Sequence, residues 1–528
     1  MSNIRFSLPF TIFLTLYILK LLGQTSFNVV PETLGQTNQS RLFDAYPDSN
    51  FIYVIGDLLD TTVDPLNPEV RSWWGALDYN GNLVKQKLLV NDKIKGYLNL
   101  PGNKLIKAAN GDLIYNTILF NENNIANSII LEIDKHNGNI TKFHIYQNPL
   151  DSSQYVLPGW ITLDNYNSNN IILGQTIMAG ANPGGYIITI DSNFNMINSV
   201  IIDDNGRDNY IYYLEEEPDS TFILIGESKK RNDNVANPDI KPYFMRVNSL
   251  GKLIEFKLAT GIPDKTVFFS TSDSYNITKD SKGNWVFGAI SYFPTNHSIP
   301  YVYSYSPQFD SLNWSRNFSE DITDSNEDNT IYSAVFDSVS HSLVVCGSNF
   351  NKIPKSSYVF KIRENGDSVW TRHFIPLNWN PDSVAWALLR DIEITKYGTY
   401  ISVGHASDFI QGMWRSWAIN LDSFGCLVPG CQNTVGTTKF NNEISKPFIF
   451  YPNPTSSFLA LLCNSNQWTA LILSIYTENG ILINKLEFNP ILGYQYILDT
   501  SNINKGVYFI NITDKSGKVI QVDKIIFD

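Results

Sequence analysis

Short apolar runs, each ending at a small or polar residue, recur along most of this chain. They are Phe51-Ile-Tyr-Val-Ile-Gly56, Asp112-Leu-Ile-Tyr-Asn116, Asn170-Ile-Ile-Leu-Gly174, Phe222-Ile-Leu-Ile-Gly226, Trp285-Val-Phe-Gly288, Leu343-Val-Val-Cys-Gly347 and Tyr400-Ile-Ser-Val-Gly404. The closing residues sit at 56, 116, 174, 226, 288, 347 and 404, a mean period of 58 residues. A second run follows each, ending in a polar turn, as in Gly75-Ala-Leu-Asp-Tyr-Asn-Gly81, Phe244-Met-Arg-Val-Asn-Ser-Leu-Gly251 and Val359-Phe-Lys-Ile-Arg-Glu-Asn-Gly366. An Asp/Asn-Gly turn between apolar runs signals a hairpin. A further strand precedes each closing residue, for example Ile331–Phe336 and Asp391–Thr395. Each unit thus offers four short strands and no helix. One four-stranded sheet cannot bury both faces alone, and stacking units around an axis solves this. The pattern predicts an all-β chain with a seven-bladed β-propeller over residues 24–432; six or eight blades stay open. The period exceeds that of common propeller repeats, and the excess falls in loops such as 61–71, 229–242 and 319–329.

The seventh unit lacks a fourth strand. Where it should come, the chain reads Gly425-Cys-Leu-Val-Pro-Gly-Cys431. The spare segment Phe27–Val30 can supply that strand to the blade holding 400–404 and 417–422, closing the ring and removing two sheet edges. The other reading is a loose N-terminal tail.

The N-terminus changes the compartment. Arg5 precedes the largely apolar stretch Phe6–Leu22, and Gly23 then precedes Gln24, the layout of a signal peptide over residues 1–23. An uncleaved anchor is the alternative, but the run is short and Pro9 and Lys20 interrupt it. No later stretch is long and apolar enough to predict a transmembrane segment. The formal charge of −12 becomes −14 once Arg5 and Lys20 are lost, which argues against a nucleic-acid partner. Of four cysteines, Cys426 and Cys431 flank a Pro-Gly turn and can form a local disulfide outside the cytoplasm. A metal or redox role for this pair is the alternative, but the spacing is not CxxC and no His is near. Cys346, in an apolar run, is expected to be buried and inert.

No catalytic, cofactor or metal motif stands out, so no cofactor is expected. The histidines at 136, 144, 297, 341, 373 and 405 never pair at ligand spacing. His405 follows Gly404 and is expected near a blade end, as a structural residue. The acidic loops Asp203–Asp208 and Asp324–Asp328 do not match a calcium loop and read as solvated turns. Trp314 and Trp370 follow turns that faintly resemble the Asp-box of sialidase-like propellers. Arg246, Arg363 and Arg390 fall at unlike places in their repeats, so the arginine cluster of that family is missing, and both tryptophans are expected between blades. Trp73, Trp74, Trp414 and Trp417 are expected in the core; exposed on a rim, they would stack on sugar rings.

After a polar linker, 433–446, a different unit begins. It opens with Phe448–Ser457, and strand-like segments at 459–463, 471–477, 481–488, 494–498, 506–513 and 518–527 predict a small antiparallel β-sandwich. Its motifs are Tyr451-Pro452-Asn453-Pro454, Ile475-Tyr-Thr-Glu-Asn-Gly480, Gly506-Val507-Tyr508 and Lys524-Ile-Ile-Phe527. Together they resemble the C-terminal sorting domain, with a type A-like tail, of the Bacteroidetes type IX secretion system. The Gly-Cys…Gly-Cys element upstream resembles what often precedes that domain; Cys463 is a departure, an unpaired thiol. The resemblance implies export to the periplasm, then transport across the outer membrane with the tail as address and the secretion machinery as partner. It also implies tail removal, with the passenger released or held at the cell surface. For the propeller two readings stay open. One is a non-catalytic module binding glycan or protein. The other is a polysaccharide hydrolase or lyase with two carboxylates near the axis, about 5–10 Å apart.

Overall fold

The apolar runs become strands because each is rich in β-branched and aromatic residues and is bounded by turn residues. The computed structural model describes residues 26–31, 39–427 and 447–527, except 61–68, 92, 95–96, 100–103, 122, 124, 165–169, 180–181, 203–205, 232–239, 263–266, 269–276, 293–297, 318–328, 350–354, 377–378, 380–383, 409–413, 456–457, 465–466 and 478–479. The signal segment, the linker 433–446, Cys431, His297, Asp203–Asn205 and Asp324–Asp328 lie outside the described residues. Every regular element among the described residues is a strand.

Seven antiparallel sheets follow one another along the chain, and two more form the tail. Blade 1 runs Ser40–Pro47, Ile52–Asp60, Glu69–Leu77 and Leu83–Leu88; blade 4 runs Arg207–Glu216, Phe222–Lys230, Ile240–Val247 and Leu253–Leu258. Blade 6 runs Asn329–Asp337, Ser342–Asn349, Ser356–Arg363 and Ser368–Phe374. Blade 7 has only Val384–Ile394, Tyr400–Asp408 and Trp414–Leu421 of its own. Phe27–Val29 completes it, with Phe27 opposite Asn420 and Val29 opposite Ala418. The closing strand expected from the sequence is therefore present, one residue shorter than expected. A separate apolar cluster fills each junction, including that between blades 7 and 1, where Phe27, Leu42, Val54 and Trp73 meet Ile401, Val403 and Ala418. The ring is closed.

Four of the repeated glycines share one physical cause. Opposite Gly56, Gly226, Gly347 and Gly404 the first strand slips by one residue, leaving Phe43, Tyr212, Tyr332 and Arg390 as the extra residues. A Cβ on any of these glycines would collide with the carbonyl of Arg41, Tyr210, Thr330 or Leu388. Gly174 and Gly288 face side chains of the next blade instead, Ile211 and Ile331, and blade 2 has no glycine at this place. Its first strand is broken into Tyr97–Asn99 and Ile106–Lys107, and its closing residue is Asn116. The Asn116 amide donates to Ser128 Oγ (2.8 Å) and Ile129 O (3.0 Å) instead.

Several hairpin turns are of one kind. Asp78 Oδ1 accepts the backbone N–H of Asn80 and of Asn82, both at 2.9 Å, and Gly81 takes a positive φ. Asp191, Asp280 and Asp422 make the same pair of bonds. Turns between third and fourth strands also receive the outer strand of the preceding blade. Trp314 stands against Gly366, Trp370 against Gly425, and Phe27 against Gly81. Lys142 Nζ donates to Ser192 O (2.6 Å), Lys257 Nζ to Gln308 O (2.7 Å) and Arg316 Nε to Gly366 O (3.0 Å). Trp314 and Trp370 thus pack between blades, as expected.

The tail is a sandwich of Phe448–Tyr451, Phe458–Cys463 and Gln495–Asp499 against Leu482–Phe488, Leu471–Thr477, Gly506–Asp514 and Val519–Phe527. Its three-stranded sheet is buried on both faces. Phe448, Phe450, Leu459, Leu461 and Tyr496 point into the tail core. Ile449, Tyr451, Phe458, Ala460 and Ile497 pack instead with Trp370, Phe374 and Leu427 of blades 6 and 7. The polar linker suggests two independent cores; the fold joins them through this shared cluster.

Candidate functional site

The tail motifs converge at one end of the sandwich. The Asn453 amide donates to Lys524 O and its oxygen accepts the Ile526 N–H, both at 2.8 Å, so one side chain imitates a paired strand. Gly506 lies opposite Phe527 and Val507 opposite Ile526. Tyr508 stacks edge-on against Phe527 (4.9 Å) and its hydroxyl donates to Asn504 O (2.9 Å). Pro452 and Pro454, which precede and follow Asn453 in this loop, are half-buried and exposed, and Lys524 projects into solvent. Tyr451 alone faces the other way, buried against the propeller.

Cys426 is disulfide-bonded, whereas Cys346 and Cys463 are free and buried. Burial pushes the Cys463 thiol up to about 12, so it stays unreactive.

In the propeller, first strands of neighbouring blades touch around the axis, those of blades 1, 6 and 7 among them. Three of the slipped residues, Phe43, Tyr332 and Arg390, meet there. The Arg390 guanidinium lies 5.3 Å from the Phe43 ring and 5.5 Å from the Tyr332 ring. Arg41 lies 5.4 Å from the same Phe43 and pairs with Asp57 (3.0 Å for one of two bonds). Asp44 and Asp391 are buried together: Ala45 N donates to Asp44 Oδ1 (2.7 Å) and to Asp391 Oδ2 (3.1 Å), Leu105 N to Asp44, and Ser333 Oγ to Asp391 (3.1 Å). Burial, then the Asp391 charge, holds the Asp44 carboxyl well above its ordinary value. This pair is a structural link between blades, with its oxygens spent on protein donors. His405 is buried as well. Burial, then Arg390 and Arg41, push its pKa far down, so it is neutral at neutral pH.

Two other carboxyls are raised to about 7: Glu227 by burial, and Glu216 by burial and Asp164. Glu216 pairs with Phe222, five residues along the strand from Glu227, which separates them by roughly 16 Å. That exceeds the reach of a glycosidase pair. No group of His, Cys, Asp or Glu suited to a metal occurs among the described residues.

The most ligand-like feature is aromatic. Trp386, on the first strand of blade 7, is 38% exposed. Its ring lies 6.3 Å from that of half-buried Trp414, and Lys355 Nζ stands 4.2 Å from it. Trp414 in turn meets His405 edge-on at 4.7 Å. Trp73, Trp74 and Trp417 are in the core, as expected. The sequence did not single out Trp386, because a Trp within an apolar run reads as core.

A family model described as the secretion system C-terminal sorting domain matches residues 449–528. The tail is a type IX secretion system C-terminal sorting domain. Such a sorting domain implies engagement with the secretion machinery and export to the cell surface or beyond. No curated protein matches this chain. Among solved structures it is similar to the extracellular domain of a putative hybrid two-component system from B. thetaiotaomicron (11% identity, TM-score 0.41, 95% of this chain and 58% of that one). It is also similar to the β-propeller domain of the Trilobed protease from Pyrococcus furiosus (7%, 0.38, 72% and 95%) and an α-L-arabinofuranosidase from Fusarium graminearum (10%, 0.39, 63% and 94%). Likenesses this distant say nothing about what the sorting domain's passenger binds. No helix among the described residues is long and apolar enough to cross a membrane.

Proposed function

We propose that residues 24–432 form a non-catalytic glycan-binding propeller, carried out of the cell by residues 447–528 as its address. In this reading Tyr451, Pro452, Asn453, Pro454, Gly506, Val507, Tyr508 and Lys524 are the sorting determinants, and Cys426 pairs with Cys431 just before the linker. Export starts with the signal segment 1–23, and the mature propeller ends free or at the outer surface.

The observation that carries the ligand reading is the exposed Trp386 ring beside Trp414 on an innermost strand. Sugar rings present flat C–H faces that stack on such aromatics. The carboxylates nearest the axis are engaged with protein donors, which favours binding over chemistry. The test is a glycan array probed with the full mature chain. The parent should bind a defined set of glycans, and Trp386→Ala should weaken that binding at least about tenfold, worth 1.4 kcal/mol. A parent that binds no glycan, or a Trp386→Ala protein that binds equally well, overturns this reading.

A further inference from the structure

The two sheets of the tail differ in what covers them. The three-stranded sheet is closed on its outward face by blades 6 and 7. The four-stranded sheet has an outward face with no such cover among the described residues. One row of directly paired residues crosses all four of its strands: Leu482 opposite Tyr476, Tyr476 opposite Phe509, and Phe509 opposite Lys524. Val507 and Ile526 form the adjoining pair on the same face. Leu482 is 48% exposed, Phe509 39% and Ile526 37%. A soluble sheet face normally carries polar residues at such positions.

The charged side chains on this face are mostly cationic. Lys485 and Lys524 are exposed and have no ion-pair partner among the described residues. Glu487 on the same face is neutralised by Lys515 at 2.6 Å. The face is therefore apolar and cationic in a chain whose net charge is −12. Two motif residues add an independent observation. Tyr451, Asn453 and Tyr508 are engaged within the fold, whereas Val507 and Lys524 both lie on this face.

We propose that this outer face, built on Leu482, Tyr476, Phe509, Ile526, Lys485 and Lys524, is the surface by which the secretion machinery holds the protein. The fitting partner presents an apolar patch bordered by carboxylates. The propeller blocks the other sheet, so recognition takes place while the passenger is folded and attached. This rests on the tail being the export address.

The experiment uses the full chain in a Bacteroidetes host. One variant carries Leu482→Ser, Phe509→Ser and Ile526→Ser; a second carries Lys485→Glu and Lys524→Glu. Exposed positions change stability little, so each purified protein should melt within about 2 °C of the parent. Cell fractionation should show the extracellular amount of each variant reduced at least about tenfold, with folded protein held in the periplasm. Retention of either folded variant supports the proposal, and parental export of both overturns it. If the serine variant does not fold, the charge-reversed variant decides alone. The underlying reading has its own control: a chain ending at residue 446 that is still exported in full overturns the address, whatever the face variants do.

Discussion

Blades 4 and 7 share one architecture but are held in place differently. Blade 4 is a single stretch of chain, and its junction with blade 3 is apolar, built from Trp160, Ile172, Ile187, Leu214, Leu224 and Tyr243. Blade 7 is assembled from three parts of the chain: its own three strands, Phe27–Val29, and the tail sheet that leans on its junction with blade 6. That junction carries a buried polar network. Lys361 Nζ donates to Tyr400 OH (2.6 Å) and to Asp337 (3.2 Å), and Tyr400 OH donates to Asp337 (2.6 Å). On the far side of blade 7 lies the Asp44–Asp391 pair. Apolar packing tolerates small shifts, whereas such networks are satisfied in one arrangement only. The difference suggests that where the chain does not fix the register, polar groups do.

The largest break in this comparison is removal of residues 26–31. It deletes the outer strand of blade 7, the Phe27 contact with Gly81, and the Asn28 side chain, which accepts from Trp417 Nε1 (2.7 Å) and donates to Ile375 O (2.8 Å). The lost burial of Phe27 alone is worth about 3–5 kcal/mol, so calorimetry should show the melting temperature several degrees lower. An unchanged curve would mean the ring closes without this strand. Next comes Tyr451→Ala, which opens a cavity between tail and propeller at a cost of about 3 kcal/mol, read as a lower urea midpoint of the whole chain. A second, unaffected transition would show that the two units unfold separately.

Lys361→Met sharpens the comparison, since it leaves the Asp337 carboxylate without its cation; about 2–3 kcal/mol is expected in chemical denaturation. Burial pushes Asp337 up, but bonds from Ser340, Tyr400 and Lys361 outweigh it and hold it at about 2. A lowered carboxyl stabilises the fold above the ordinary Asp value and loses that contribution as pH falls towards 2. The parent should therefore lose stability over that acid range, and Lys361→Met should lose less of it. The smallest effect concerns Asp391→Asn. Asp44 is raised by burial and by Asp391, so its contribution is full below the ordinary Asp value and declines as pH rises through its raised one. Removing the second charge should flatten that decline in melting temperatures taken from pH 4 to 8. A slope identical to the parent's would show that the pair does not share a proton.

The ring was legible in the sequence because its strictest demand is steric and local. A slipped carbonyl leaves no room for a Cβ at Gly56, Gly226, Gly347 and Gly404, so glycine recurs at a fixed place in the unit. The missing fourth strand of unit seven and the spare Phe27–Val30 segment were legible together. The shared cluster was not anticipated, although Phe448-Ile-Phe-Tyr451 and Phe458-Leu-Ala-Leu-Leu-Cys463 are apolar at both alternations, the signature of a sheet buried on both faces. Nor were Asp44 and Asp391, because a lone Asp in a strand reads the same whether it meets water or another blade. Exposure of Trp386 depends on what stands beside its strand, which no local pattern encodes.

The pairing of Phe27 with Asn420 has a consequence in time. A chain made from its N-terminus presents this strand first and the strand it needs almost last. At about 5–20 residues per second, the 393 residues between them take roughly 20–80 s to appear. Through that interval six blades can assemble, but the seventh waits, and the strand must remain unpaired without sticking elsewhere. Its brevity suits the wait: three residues with a central Asn offer little for another chain to grip. The last act of assembly is thus a meeting of beginning and end, and a ribosome that stops short of blade 7 leaves a ring that cannot shut.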